Sequence, residues 1–97
     1  MRVRYTPRAR GDIEDIFQYI AGRNPAGARN VLRAIYAGID YIAENPQGSM
    51  RTDEPGARVK IVSRYRYKIF YRIDGDTIEI LHVRHGSRRA WREDRSA

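Results

Sequence analysis

From Ala57 to Arg84 the chain reads ARVKIVSRYRYKIFYRIDGDTIEILHVR, with cationic residues alternating with apolar and aromatic ones except at Asp74-Gly75. Period-two alternation marks half-buried strands. Asp-Gly between two such runs marks a tight hairpin. A two-residue loop at Asp74-Gly75 pairs Ile73 with Asp76 and opposes Tyr71 to Ile78, Ile69 to Ile80 and Tyr67 to His82. Directly opposed residues share a face. Tyr67, Ile69, Tyr71, Ile78, Ile80 and His82 would then face the core. Arg66, Lys68, Phe70, Arg72, Thr77, Glu79, Leu81 and Val83 would form a basic, partly apolar second face. A three-residue loop would set Tyr71 against Glu79 and fits the pattern less well. Ala57–Val62 adds a preceding strand, expected to turn Val59 and Ile61 inward. The connection to Tyr65 lacks Gly, Pro and Asn, so its turn is not defined by sequence.

The remaining chain is organised to cover such a sheet. Arg2–Tyr5 is a short candidate strand. Thr6-Pro7 and Asn24-Pro25 each place an N-cap before a proline at the first helical position. Ala9, Ile13, Ile16, Phe17 and Ile20 recur at helical spacing after the first start, and Ala28, Val31, Leu32, Ile35, Ile39 and Ile42 after the second. Helices over 7–22 and 25–44, joined by so few residues, form an antiparallel hairpin. Gly38 inside the second helix costs roughly 1 kcal/mol against Ala, and close approach by another backbone would explain it. Asn45–Gly56 reads as an irregular loop and 85–97 as a basic tail. The expected architecture is α+β: an N-terminal strand and a helical hairpin on one face of a small antiparallel sheet, in one domain spanning 1–97.

Charge adds a constraint. Net charge is +7; residues 1–50 hold seven Arg against five acids, and 51–97 hold twelve Arg and Lys against seven. Arg58–Arg72 contains six basic residues and no acid. Such a block suits a polyanionic partner, nucleic acid or acidic protein, or a solvated sheet face. Arginine, 17 of the 19 basic residues, suits planar recognition of phosphate or carboxylate. In the helical hairpin, acids gather at one end (Asp12, Glu14, Asp15, Asp40, Glu44) and Arg29 and Arg33 at the other.

Cysteine is absent, which excludes disulfides and thiolate metal sites and fits a reducing cytoplasm. No apolar run has the length of a membrane span, and the N-terminus lacks a secretory pattern. His82 and His85 have no carboxylate at ligand spacing, so no metal site is expected. Phosphate loops, dinucleotide fingerprints and nucleophile elbows are missing, and no cofactor is implied. An enzyme built on this chain would work by positioning and electrostatics around a phosphate. His85, at a strand end, is better placed for that than His82. Tyr65, Tyr67 and Tyr71 are expected in the core. Trp91 is either a lid on the core or an exposed anchor.

The ordered set TPRARGDIEDIFQYI, NPAGARNVLRAIYAGIDYIAENP, TDEPGARV and YKIFYRIDGDTIEILHVRHGSR covers nearly the whole chain. It resembles the ParE/RelE superfamily of type II toxin–antitoxin toxins, most closely the ParE branch. The resemblance implies a cytoplasmic bacterial toxin forming a hetero-oligomer with an acidic, ParD-like antitoxin that wraps the hairpin and sheet. Arg29, Arg33, Tyr36, Arg58 and Lys60 are the expected antitoxin contacts. ParE-type toxins poison DNA gyrase without enzymatic chemistry. On that reading Arg66, Lys68, Arg72, Arg84, Arg88, Arg89 and Trp91 form the target surface, with nucleic acid a possible further contact. The alternative is a RelE-like ribosome-dependent mRNA endoribonuclease, for which Lys60, Lys68, His85 and Arg88 are the matching candidates. RelE-type enzymes often carry a C-terminal tyrosine; here no tyrosine follows Tyr71, and Trp91 stands in that region. A third alternative is a non-toxic protein of the same fold that acts only as antitoxin partner.

Overall fold

The two cap-plus-proline starts form as their side chains require. In the computed structural model, which describes residues 1–86, the Thr6 hydroxyl accepts from the Ala9 amide at 3.0 Å and opens helix α1, Pro7–Ala21. The Asn24 carboxamide accepts from the Gly27 amide at 2.9 Å and opens helix α2, Pro25–Glu44. Their apolar stripes converge on one core: Ala9, Ile13, Val31, Ile35, Ile39 and Ile42 against Val62, Tyr67, Ile69, Tyr71, Ile78, Ile80 and Val83. Gly38 faces the sheet, and side chains rather than another backbone approach it. A Cβ there would lie 3.0 Å from Ile69 Cδ1 and 3.2 Å from Val62 Cγ2.

The sheet has five strands where sequence suggested fewer: β1 (Arg2–Tyr5), β2 (Met50–Arg51), β3 (Ala57–Val62), β4 (Tyr67–Asp74) and β5 (Thr77–His85). Their spatial order is β1-β5-β4-β3-β2. The sheet is mixed rather than wholly antiparallel, because β1 runs parallel to β5, Tyr5 opposite Ile80. The helical hairpin supplies the crossover that a parallel pairing needs. β2 lies inside the presumptive loop 45–56 and is only two residues long, too short to leave a period.

Three corrections concern strand register and which face each side chain occupies. The tight turn exists, but its loop residues are Gly75 and Asp76, so Tyr71 opposes Ile80 and Ile73 opposes Ile78. Of the two, Gly75 alone has positive φ, at +63°, and glycine at the first central position is the demand of a type II′ turn. This two-residue displacement preserves the faces. A β-bulge then changes them: Leu81 has no partner, and beyond it Phe70 opposes His82, Ile69 opposes Val83 and Tyr67 opposes His85. Val83 therefore enters the core at 3% exposure, and His82 leaves it for the second face. Finally, Val59 and Ile61 pair with Phe70 and Lys68 on that second face, whereas Val62 points into the core and Arg58 and Lys60 stand on the helix side. α2 meets β3 at Val62, beside Gly38, and again at Lys60, whose ammonium reaches the Tyr41 ring.

Candidate functional surface

The face turned away from α1 and α2 has two chemically different ends. Near the hairpin turn, Glu79 accepts from Arg72 Nη2 at 2.8 Å and lies 3.4 Å from Arg4 Nε, and Asp74 lies 3.3 Å from Arg4 Nη2. The Arg72 hydrogen bond holds the Glu79 carboxyl below its ordinary range and the Arg72 guanidinium above its own. Arg72, expected in the target surface, is thus committed to an ion-pair network.

The other end carries Lys68, Phe70, His82 and Arg84 on adjacent β4 and β5. His82 stacks on Phe70 with ring centroids 4.2 Å apart and planes 16° from parallel. The Arg84 guanidinium carbon lies 5.8 Å from the Phe70 ring, and Lys68 stands directly opposite Arg84. Stacked rings beside cations can receive a planar, anionic partner. Arg66 sits in the turn before β4 with φ of +63°, and its carbonyl accepts from the Gly86 amide at 2.6 Å. The Lys68 stem runs along Gly86, where a Cβ would come within 2.9 Å of Cε.

Among the described residues the endoribonuclease candidates do not converge. Lys60 is on the helix side, its ammonium 4.2 Å from the centre of the Tyr41 ring, while Lys68 is on the opposite face. His85 turns to the helix side and makes an edge contact with Tyr67 at 5.1 Å. Arg88, Arg89 and Trp91 lie outside the described residues. The imidazole beside Lys68 is that of His82, which period-two reasoning buried. The adjacent apolar residues Ile80 and Leu81 were the signal: Ile78/Ile80 and Leu81/Val83 are two alternations out of phase by one residue.

The expected antitoxin contacts also divide. Tyr36 packs edge-on against Tyr5 of β1, 6.4 Å between centroids, on one flank of α2. Arg58 and Lys60 lie on the other flank; Arg58 donates to the Ser49 carbonyl and to Gln47 Oε1 at 2.9 and 2.8 Å. Arg33 donates to Asn30 Oδ1 near the start of α2. A groove of about 320 Å³ follows the hairpin between Arg10, Ile13, Glu14, Phe17, Leu32 and Tyr36. Among the described residues there is no cluster of metal-ligating side chains and no helix long and apolar enough to cross a membrane.

This arrangement of hairpin and mixed sheet is shared with toxins of known structure. The chain superposes on a chain of a chromosomal ParDE toxin–antitoxin system from P. aeruginosa with a TM-score of 0.79 at 20% identity, covering 90% of this chain and 97% of that one. It superposes on isolated E. coli RelE with a TM-score of 0.67 at 12% identity, covering 98% and 95%. At these identities the likeness is one of fold. In sequence, it is 33% identical to the protein Y4kP of Sinorhizobium fredii (strain NBRC 101917 / NGR234) over 84 residues, 87% of this chain and 86% of that protein. The model of the ParE toxin of the type II toxin–antitoxin system parDE matches residues 3–90, from the first strand through the end of the sheet. With fold and sequence in agreement over that span, the chain belongs to the ParE toxin family of type II toxin–antitoxin systems.

Proposed function

We propose that this toxin inhibits DNA gyrase by stabilising a gyrase–DNA break and is neutralised by an acidic, partly helical antitoxin segment. The observation that carries the reading is the ParE match over residues 3–90. The target surface is the Lys68–Phe70–His82–Arg84 end of the second face, with Arg88, Arg89 and Trp91, which follow it in the chain, as further contacts. Cations grouped around a stacked ring pair suit a partner with phosphate or carboxylate groups. Purified toxin should trap gyrase–DNA breaks while leaving message intact. Trp91→Ala with Arg88→Ala should relieve growth inhibition; undiminished inhibition would remove the tail from the target surface.

The antitoxin pairing makes a separate demand. A neighbouring acidic open reading frame should co-purify with the toxin and cover the hairpin groove at Phe17, Leu32 and Tyr36. If it does not co-purify, that pairing fails.

One observation favours a second reading, ribosome-dependent mRNA cleavage: an imidazole, His82, is held against Phe70 on the row next to the Lys68–Arg84 pair. On this reading His82 is the proton-transfer candidate, and His82→Ala or Lys68→Ala with Arg88→Ala abolishes codon-phased cuts mapped at mRNA 5′ ends. Normal gyrase with cut message selects this reading. Silence in both assays from folded protein selects a toxin fold that only binds its antitoxin.

A further inference from the structure

The strand that carries His82 and Arg84 outruns its neighbour. β1 ends at Tyr5 opposite Ile80, so beyond that point one edge of β5 has no strand among the described residues to pair its backbone groups. A buried, unpaired backbone group is costly, and two side chains of the α1 region take the place of the missing strand. The Thr6 amide donates to the Ile80 carbonyl at 3.1 Å, and the Thr6 hydroxyl donates to the Leu81 carbonyl at 2.7 Å. The Asp12 carboxylate, less than two helical turns further on, accepts from the Val83 amide at 3.0 Å. These contacts bracket the bulge residue Leu81 and the residue after it, His82. Thr6 serves two elements at once, because the same oxygen caps α1 by accepting from Ala9.

We propose that Thr6 and Asp12 are positioning residues that lock the β5 bulge, and that this lock places His82 and Arg84 on the Lys68–Phe70 surface. Sliding the pairing by one residue reverses every side chain beyond the slip. Without the bulge, His82 and Arg84 exchange faces with Leu81 and Val83, and the second face loses both its imidazole and one of its cations. The clamp selects between these registers by holding the Leu81 carbonyl and the Val83 amide in the bulged geometry. The functional part of the inference rests on the surface proposed above; the structural part does not.

The test is made on the full-length, isotope-labelled chain by NMR, with growth inhibition measured separately. In the unmodified protein the His82 and Phe70 rings should show direct cross-strand contacts. The Val83 amide should exchange at least roughly tenfold slower than an open strand edge allows. A fast-exchanging Val83 amide would overturn the proposal without any variant. Thr6→Val with Asp12→Ala should remove the His82–Phe70 contacts. Thr6→Ser with Asp12→Asn, which keep the hydroxyl and an acceptor oxygen, should retain them. Ile39→Val, a stability-lowering core change made in α2, outside β5 and its clamp, should retain them too. If the Thr6/Asp12 double variant does not fold, Asp12→Ala alone is read for the same contacts. Retention of the His82–Phe70 contacts in the clamp variants, with only a lowered melting temperature, would reduce both residues to ordinary stabilisers and overturn the proposal. Growth inhibition should fall at least about tenfold together with the loss of those contacts. If the contacts are lost and inhibition is unchanged, the register lock stands and the placement of the target surface on this face fails.

Discussion

Asp12 is a residue whose charge is favoured by its structural task and opposed by its burial. Its partly buried carboxyl is raised above its ordinary pKa chiefly by desolvation, against the lowering effects of the Val83 amide, Arg8 and Arg84. A raised folded value means that proton binding favours the folded state. This contribution is fully present below the unfolded pKa and is lost as pH rises through the folded one, so near neutrality the carboxylate costs stability. Asp12→Asn keeps an acceptor for Val83 and removes that cost. It should leave the pH 7 melting temperature unchanged or raised and flatten the stability profile across the acid range, as thermal unfolding at several pH values would show. Gly38 makes a second prediction at this scale. Its neighbours Val62 and Ile69 are core residues on β3 and β4, and Val62 is β-branched with little freedom to move aside. Gly38→Val should cost about 1–3 kcal/mol in denaturant titration, the range for overpacking a core.

Among the elements, the β4–β5 hairpin does most to place the surface, and its turn depends on backbone handedness. Gly75 holds φ of +63° with open space around its Cα, so a side chain there meets strain rather than a clash. Gly75→Ala should destabilise by about 1–2 kcal/mol, the cost of left-handed backbone, without altering the core contacts of Tyr71. That tyrosine ties the irregular 45–49 segment to the sheet: fully buried, it donates from its hydroxyl to the Pro46 carbonyl at 2.7 Å. Tyr71→Phe should cost roughly 1 kcal/mol for one lost hydrogen bond. It should also speed amide exchange of residues 45–49 more than that of β5. Equal acceleration in both would mean that the bond is not local in effect.

For the whole molecule, a net charge of +7 is distributed by the fold rather than by the chain order. The basic block Arg58–Arg72 is continuous in sequence but is split across the sheet. Arg58 and Lys60 go to the helix side, Lys68 to the second face, and Arg72 into pairing with Glu79. The consequence is a graded response to mutation. Lys68→Ala with Arg84→Ala should weaken association with an anionic target at least tenfold and reduce its salt dependence. Arg72→Ala, already committed to Glu79, should change it less than threefold. Binding titrations at two salt concentrations separate the two variants.

The sequence by itself determined what depends on short-range chemistry. Thr6-Pro7 and Asn24-Pro25 started the helices, the 3.6-residue stripes set their buried sides, and a glycine-bearing tight turn paired β4 with β5. Even the family was legible, because an ordered set of such local signals is a pattern of sequence. Only the tertiary structure decided what depends on partners distant along the chain. β1 became parallel because the helical hairpin carries it to the edge of β5. The bulge at Leu81 formed where Thr6 and Asp12, 75 and 71 residues away from Leu81 and Val83, meet backbone groups that no strand among the described residues pairs. A one-residue phase change moved His82 from the core to the surface. Period-two reasoning carries an alternation forward unchanged, whereas the register of a strand is fixed by whatever binds its edge.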